Sequence, residues 1–216
     1  MISLFLNTSS KYLNVALVCD GKVIGEVNDL LDKDVSRVAL PYIKEIIENN
    51  SYKPSDIDNI VCVNGPGSFT GLRVGVTIAK TYAYSLKKDL YSVSSLFVMA
   101  TSIKDSDFIV PLIDARRNFV YGAIYDKDYN IVYPESYIGI NKLKELVSSL
   151  KGKVTYVSLD SFDDIKVKEF KPDIANMFKF GRFKKEDYFR MVPNYLKKPE
   201  AEEKLGKWLK KLIINL

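Results

Sequence analysis

The chain contains no histidine among its 216 residues. That absence removes every Ser–His and Cys–His nucleophile. It also removes every histidine-based zinc site, and Cys19 and Cys62 cannot replace one by themselves. General acid–base work would fall to Asp, Glu, Lys or Tyr. No apolar run approaches the roughly 18 residues of a membrane-spanning helix. The first six residues enter a strand pattern without a basic stretch ahead of a long apolar run, so no secretory signal is expected. Both cysteines stand in apolar, strand-like settings, which predicts buried thiols in a reduced, cytoplasmic protein.

What is present begins with an ordinary hydrophobic content of 47 %, enough for a packed core. The net charge of +5 gathers in part at Lys197, Lys198, Lys204, Lys207, Lys210 and Lys211. Those lysines could face an RNA backbone or form a solvated helix face, and no aromatic-plus-glycine RNA motif decides between the two. The densest signal is Asn64-Gly65-Pro66-Gly67-Ser68-Phe69-Thr70-Gly71-Leu72-Arg73 and its continuation. A β-branched run, Ile60 to Val63, stops at Gly-Pro-Gly and restarts as a helix to about Leu86. Gly67, Gly71 and Gly75 recur every fourth residue, and Ala79 and Ala83 extend the row into one ridge nearly free of side chains. Interior helix glycines cost up to about 1 kcal/mol each. Such a ridge implies another backbone packed close against it. Leu72, Val76, Ala79, Ala83 and Leu86 mark the adjoining core face.

The remaining pattern repeats. Ile2 to Asn7, Tyr12 to Val18 and Lys22 to Asn28 read as strands, with Asp20-Gly21 as a two-residue hairpin turn. Ser36 is a candidate cap for an amphipathic helix through Leu40, Ile43 and Ile47. Strands at Ile60 and Tyr91 flank the glycine helix, and Ser94 or Ser95 caps a helix to about Ile103. Then Phe108 to Ile113, Phe119 to Tyr125 and Ile131 to Ile138 form a second meander, Asn141 caps a helix to Leu150, and Val154 to Leu159 is a strand. Leu205, Trp208, Leu209, Leu212 and Ile213 read as a final amphipathic helix. The expected architecture is α/β with two β-β-β-α-β half-domains, 1–104 and 105–216, as in the duplicated actin-like, ribonuclease-H-like ATPase fold.

The segment Asn64 to Arg73 resembles the signature of the TsaB (YeaZ) family of bacterial tRNA threonylcarbamoyladenosine synthesis. Leu4-Phe5-Leu6-Asn7-Thr8-Ser9, Val110 to Arg116 and Pro193-Asn194-Tyr195-Leu196-Lys197 extend the similarity over most of the chain. The resemblance implies the duplicated actin-like fold and a non-catalytic scaffold for a catalytic TsaD-type paralogue acting on adenosine 37 of certain tRNAs. It further implies a TsaE-type ATPase partner, a homodimer when the chain is alone, indirect contact with tRNA, and no membrane association. The expected partner face is Gly67, Phe69, Thr70, Gly71, Leu72, Val74, Gly75, Ile78, Ala79 and Ala83, with Leu40, Ile43 and Ile47 beside it.

In actin-like ATPases each half opens with a strand and a tight turn that hold metal-bound phosphates. Here the first turn is Asn7-Thr8-Ser9-Ser10, with Asn7 where the family usually has Asp. The second is Asp114-Ala115-Arg116-Arg117, an acid without glycine. A neutral amide is a poor Mg²⁺ ligand. Asn7, Thr8, Ser9, Gly65, Gly67, Ser68 and Asp114 are therefore the candidates for a vestigial nucleotide site, with no resident cofactor expected and residual nucleotide at a subunit interface left open. The glycine loop lacks the Gly-Lys-Ser/Thr ending of a P-loop and reads as a turn whose Ser68 or Thr70 caps the helix. Arg73 is expected to bond a neighbouring loop. Metal-binding relatives in the superfamily use paired histidines on the first long helix, and Asp34 to Arg37 supplies none. Two other classes remain as alternatives. A small ATPase or kinase would show Mg-dependent ATP binding. A peptidase with Ser68 as nucleophile would react with a serine-directed probe, with only the distant Lys80 as base.

Overall fold

The computed structural model describes residues 1–30 and 34–197. The final amphipathic helix and all of the C-terminal lysines except Lys197 lie outside the described residues. The first sheet holds β1 (Ile2–Asn7), β2 (Tyr12–Cys19), β3 (Lys22–Leu30), β4 (Asn59–Gly65) and β5 (Asp89–Ser94), with α1 (Val35–Asn49), α2 (Phe69–Leu86) and α3 (Ser95–Ala100) between and after them. The second holds β6 (Phe108–Asp114), β7 (Phe119–Asp126), β8 (Ile131–Gly139), β9 (Val154–Ser158) and β10 (Val167–Glu169), with α4 (Ile140–Ser148) and then α5 (Ile174–Phe180). A last short strand, β11 (Lys184–Glu186), follows.

The strand orders are β11-β5-β4-β1-β2-β3 and β10-β9-β6-β7-β8. In each, the opening strand pairs antiparallel with the second and parallel with the strand after the first helix. The repeat inferred from pattern is thus a repeat of topology. Two features depart from it. The second half carries no counterpart of α2 between β9 and β10. And β11, far along the chain, pairs antiparallel with β5 in the first sheet, so a cut at residue 104 does not separate every strand.

β1 is buried on both faces, which its unbroken apolar run requires. Leu4 and Leu6 pack with α1 and α2 through Ile43, Ile47, Val76 and Ala79. Phe5 points the other way, into the cluster that joins α3, β7 and α5 through Phe97, Tyr125 and Met177. The β2–β3 turn has positive φ at both Asp20 and Gly21, as the hairpin signal predicts. Helix caps moved slightly. Asp34, not Ser36, caps α1 and accepts from the Ser36 amide, while Gly139 precedes α4 and Asn141 lies inside it. Ser94 caps α3 through the Leu96 and Phe97 amides.

One partly buried carboxylate gives a pH-dependent prediction. Burial pushes Glu135 above its ordinary range, and the Tyr125 hydroxyl donates to it at 2.9 Å. The folded state therefore holds this proton more tightly than the unfolded chain, and stability falls as pH rises through the window between the two values. Glu135→Gln keeps the acceptor and removes the charge. Melting curves should show this variant at least as stable as wild type at pH 8, with the advantage vanishing by pH 4. An advantage that grows toward acid would contradict it.

Candidate functional site

The two halves enclose a cleft of about 290 Å³. Asn7, Ser9, Ser10, Lys11, Gly67 and Ser68 line it from the first half, and Asp114, Tyr121 and Asp160 from the second. Five of the seven predicted nucleotide-site residues meet there: Asn7, Ser9, Gly67, Ser68 and Asp114. Thr8 and Gly65 do not. The Thr8 hydroxyl turns away and donates to the Gly71 carbonyl at 2.7 Å. Gly65 backs onto the C-terminal strap, where an added Cβ would stand 2.6 Å from the Asn194 carbonyl oxygen.

The first turn is filled by its own polar groups. Strand register sets Asn7 opposite Asn14 and Asn14 opposite Asn28, three amides in a row across β1, β2 and β3. Asn7 donates its Nδ2 to Asn14 at 2.9 Å, and its Oδ1 accepts from the Ser9 amide and hydroxyl at 3.0 and 2.7 Å. Asn14 in turn donates to Asn28. Both ends of the Asn7 amide are committed to the turn.

The glycine loop is filled as well. The Ser68 amide donates to the Ser9 carbonyl at 2.7 Å, and the Ser68 hydroxyl caps α2 by accepting from the Gly71 amide at 3.2 Å. Capping is the role expected of it. At Gly67 a Cβ would lie 2.2 Å from the Ser9 carbonyl oxygen, at Gly71 2.0 Å from the Thr8 carbonyl oxygen, and at Gly75 2.2 Å from the Thr8 hydroxyl. The backbone that the bare ridge demanded is the chain's own β1–β2 turn. Gly67, Gly71 and Gly75, expected on the partner face, thus have the chain's own turn packed against them. Ala79 and Ala83 continue the ridge into the buried core, and Leu72, Ile43 and Ile47 are buried with them. Of the expected partner face, Phe69 and Leu40 are exposed, at 52 % and 47 %, as is Thr70, while Val74 and Ile78 are half-exposed.

The carboxylates opposite are occupied too. Asp160 accepts from the Asp114 amide at 2.8 Å, and Asp114 accepts from the Arg116 amide at 2.8 Å. Two carboxylates against Lys11 make a poor seat for a phosphate. Burial pushes the Cys62 thiol up to about 12, so it stays protonated and unreactive at neutral pH.

Sequence reasoning missed Ser10, Lys11, Tyr121 and Asp160, although Asp160 stands just past β9 and the repeat points to that position. It also missed how the strap works. Residues 187–197 run beside α2: Lys80 donates to the carbonyls of Phe189 and Met191 at 3.4 and 3.0 Å, Met191 is buried, and the Asn194 amide donates to Asn64 at 2.6 Å. Arg73 donates to the Tyr195 hydroxyl at 3.2 Å, the loop bond expected of it. The strap ends with Lys197 5.1 Å from the centre of the Tyr137 ring in the second half.

Residues 25–180 match the family described as TsaD, tRNA N6-adenosine threonylcarbamoyltransferase. A relative from Bacillus subtilis, named tRNA threonylcarbamoyladenosine biosynthesis protein TsaB, is 31 % identical over 97 % of this chain and 98 % of its own length. The chain belongs to the TsaB family. A protein of the same name from Escherichia coli is 31 % identical over 60 % of this chain and 57 % of its own. Among solved structures, YeaZ from Pseudomonas aeruginosa superposes with a TM-score of 0.73 at 19 % identity, covering 90 % of this chain and 99 % of that one. The duplicated actin-like fold expected from the sequence is the fold of this chain.

Proposed function

We propose that this chain is a subunit of the machinery that forms N6-threonylcarbamoyladenosine at position 37 of tRNAs, and that it binds and stabilises a TsaD-type transferase without catalysing the transfer. The observation that carries the scaffold reading is the first turn. Its amide is spent on internal bonds and its loop is plugged by the Ser9 carbonyl, so the place where an actin-like ATPase holds phosphate is taken by the chain itself. Support for the tRNA pathway comes from family membership. The chain works with a TsaE-type ATPase in the same complex, pairs with a second copy when the transferase is absent, reaches tRNA through the assembly, and carries no cofactor of its own. Its place is the cytoplasm, in keeping with two free cysteines and with no helix of the described residues long and apolar enough to cross a membrane.

The docking face, in this reading, is the outer side of α1 and α2 rather than the glycine ridge. Leu40, Pro41 and Tyr82 line an apolar groove between these helices, and Ile78 lies half-exposed on α2. Leu40→Glu, alone and with Ile78→Glu, should abolish co-purification with the transferase. The Leu40 variant should keep its melting temperature within about 2 °C, because that side chain is exposed. A complex that survives both changes would place the interface elsewhere. Transfer activity by the purified chain with no transferase present would end the scaffold reading.

A further inference from the structure

A second groove, of about 880 Å³, borders the glycine loop at Asn64 and Phe69. Its cations are Arg73 on the first turn of α2, Arg182 and Lys184 at the entry to β11, and Arg190 on the strap. Its single carboxylate is Glu186. That carboxylate is engaged, accepting from the Ser92 hydroxyl at 2.6 Å and pairing with Lys184 at 3.1 Å.

Arg73 lies 4.0 Å over the Phe69 ring, which stacks on Tyr195 at 5.3 Å. Arg182 donates to Asn130 at 3.0 Å. The exposed Arg190 side chain makes no hydrogen bond or ion pair among the described residues. With Lys184 and Glu186 paired, the groove keeps Arg73 on α2 and Arg182 and Arg190 on either side of β11 as its net positive charge. With the exposed Phe69 and Tyr195 rings beside them, these suit a chain of phosphates better than one compact anion.

We propose that this groove takes the phosphate backbone of RNA, so that the chain contacts tRNA directly as well as through its partner. The choice of RNA among polyanions rests on the tRNA reading above. Neither the cleft nor the α1–α2 face takes part.

The test uses the full chain and a fluorescein-labelled, unmodified tRNA transcript, with affinity measured by anisotropy from 50 to 200 mM KCl. Lys184→Glu with Arg190→Glu should weaken binding at least tenfold at the middle of that range. It should also flatten the slope of log affinity against log salt by about two, about one for each lost phosphate contact. Lys166→Glu with Lys168→Glu, an equal change of charge near the β10 edge of the other sheet, should leave both nearly as in wild type. The milder Arg190→Gln, with an unchanged melting curve and a slope flatter by about one, guards against misfolding of the double variant. Unchanged RNA affinity in the groove variants would overturn the proposal. So would equal losses in both pairs, which would mark diffuse attraction. Loss of co-purification with the transferase but not of RNA binding would make the groove a protein-docking site and overturn it as well. Groove-dependent RNA binding by a chain that ignores the transferase would leave this inference standing and remove the subunit reading.

Discussion

Gly71→Ala should lower the melting temperature by about 10 °C, a loss of about 3 kcal/mol in a chain of this size. One methyl group is a small change, but here it has nowhere to go. It would lie 2.0 Å from the Thr8 carbonyl oxygen and 3.2 Å from the Thr8 carbonyl carbon, and backbone cannot rotate away as a side-chain tip can. Either α2 lifts off β1 or the β1–β2 turn moves. A moving turn strains the bonds that fix it: Thr8 hydroxyl to Gly71, Ser68 amide to Ser9, and Ser9 to Asn7. The usual gain in helix propensity from Gly to Ala, about 1 kcal/mol, is far too small to compensate. Gly75→Ala should follow with a smaller loss, because its obstacle is the Thr8 hydroxyl, which is side chain. Gly139→Ala is the control. A Cβ there meets nothing within 4 Å, and the change should stay within about 1 kcal/mol. Thermal denaturation of the three variants checks the order, and a Gly71→Ala protein as stable as Gly139→Ala would refute the packing argument. Gly71 and Gly75 are thus unsuited as probes of a partner interface, since any loss of partner would follow from loss of fold.

Asn14→Ala should cost about 3 kcal/mol, through a separate route. Asn14 is fully buried and bridges Asn7 to Asn28. Truncation removes both bonds and leaves the Asn7 Nδ2 buried without a partner, which costs about 1–3 kcal/mol before any cavity is counted. Asn14→Asp separates polarity from charge. Its carboxylate still accepts from Asn7, but it cannot donate to Asn28, and the buried anion is penalised. In that variant the folded state raises the carboxyl pKa, so stability falls as pH rises from about 4 toward 7. Wild type has no such group at position 14 and no such loss from it. Urea titrations at pH 4.5 and 7.5 measure the difference. An Asn14→Asp protein whose loss relative to wild type does not grow toward the higher pH would show that the amide row does not penalise a charge at position 14. Both predictions concern one feature: the turn that closes the phosphate position is built into the stability of the first half.

Much of this was legible in the sequence. The lack of histidine fixed which chemistries are unavailable, because composition limits functional groups whatever the fold. Alternation and turn residues located the two meanders, since period-two burial and the Asp20-Gly21 turn are local properties of the chain. The four-residue glycine spacing announced a close backbone contact, and Ser68 was readable as a cap. What covered the ridge was not readable. Thr8 and Gly71 are 63 residues apart, and spacing within one helix reports how near a neighbour comes without saying which segment it is. The same limit hid the amide row, because Asn7, Asn14 and Asn28 become neighbours only once strand register is set. β11 went unseen because Lys184-Lys185-Glu186 has no strand propensity of its own and takes its form from the open edge of β5. The cationic groove has the same origin: its charges come from two distant stretches, the start of α2 and residues 182–190, and only tertiary packing brings them to one surface.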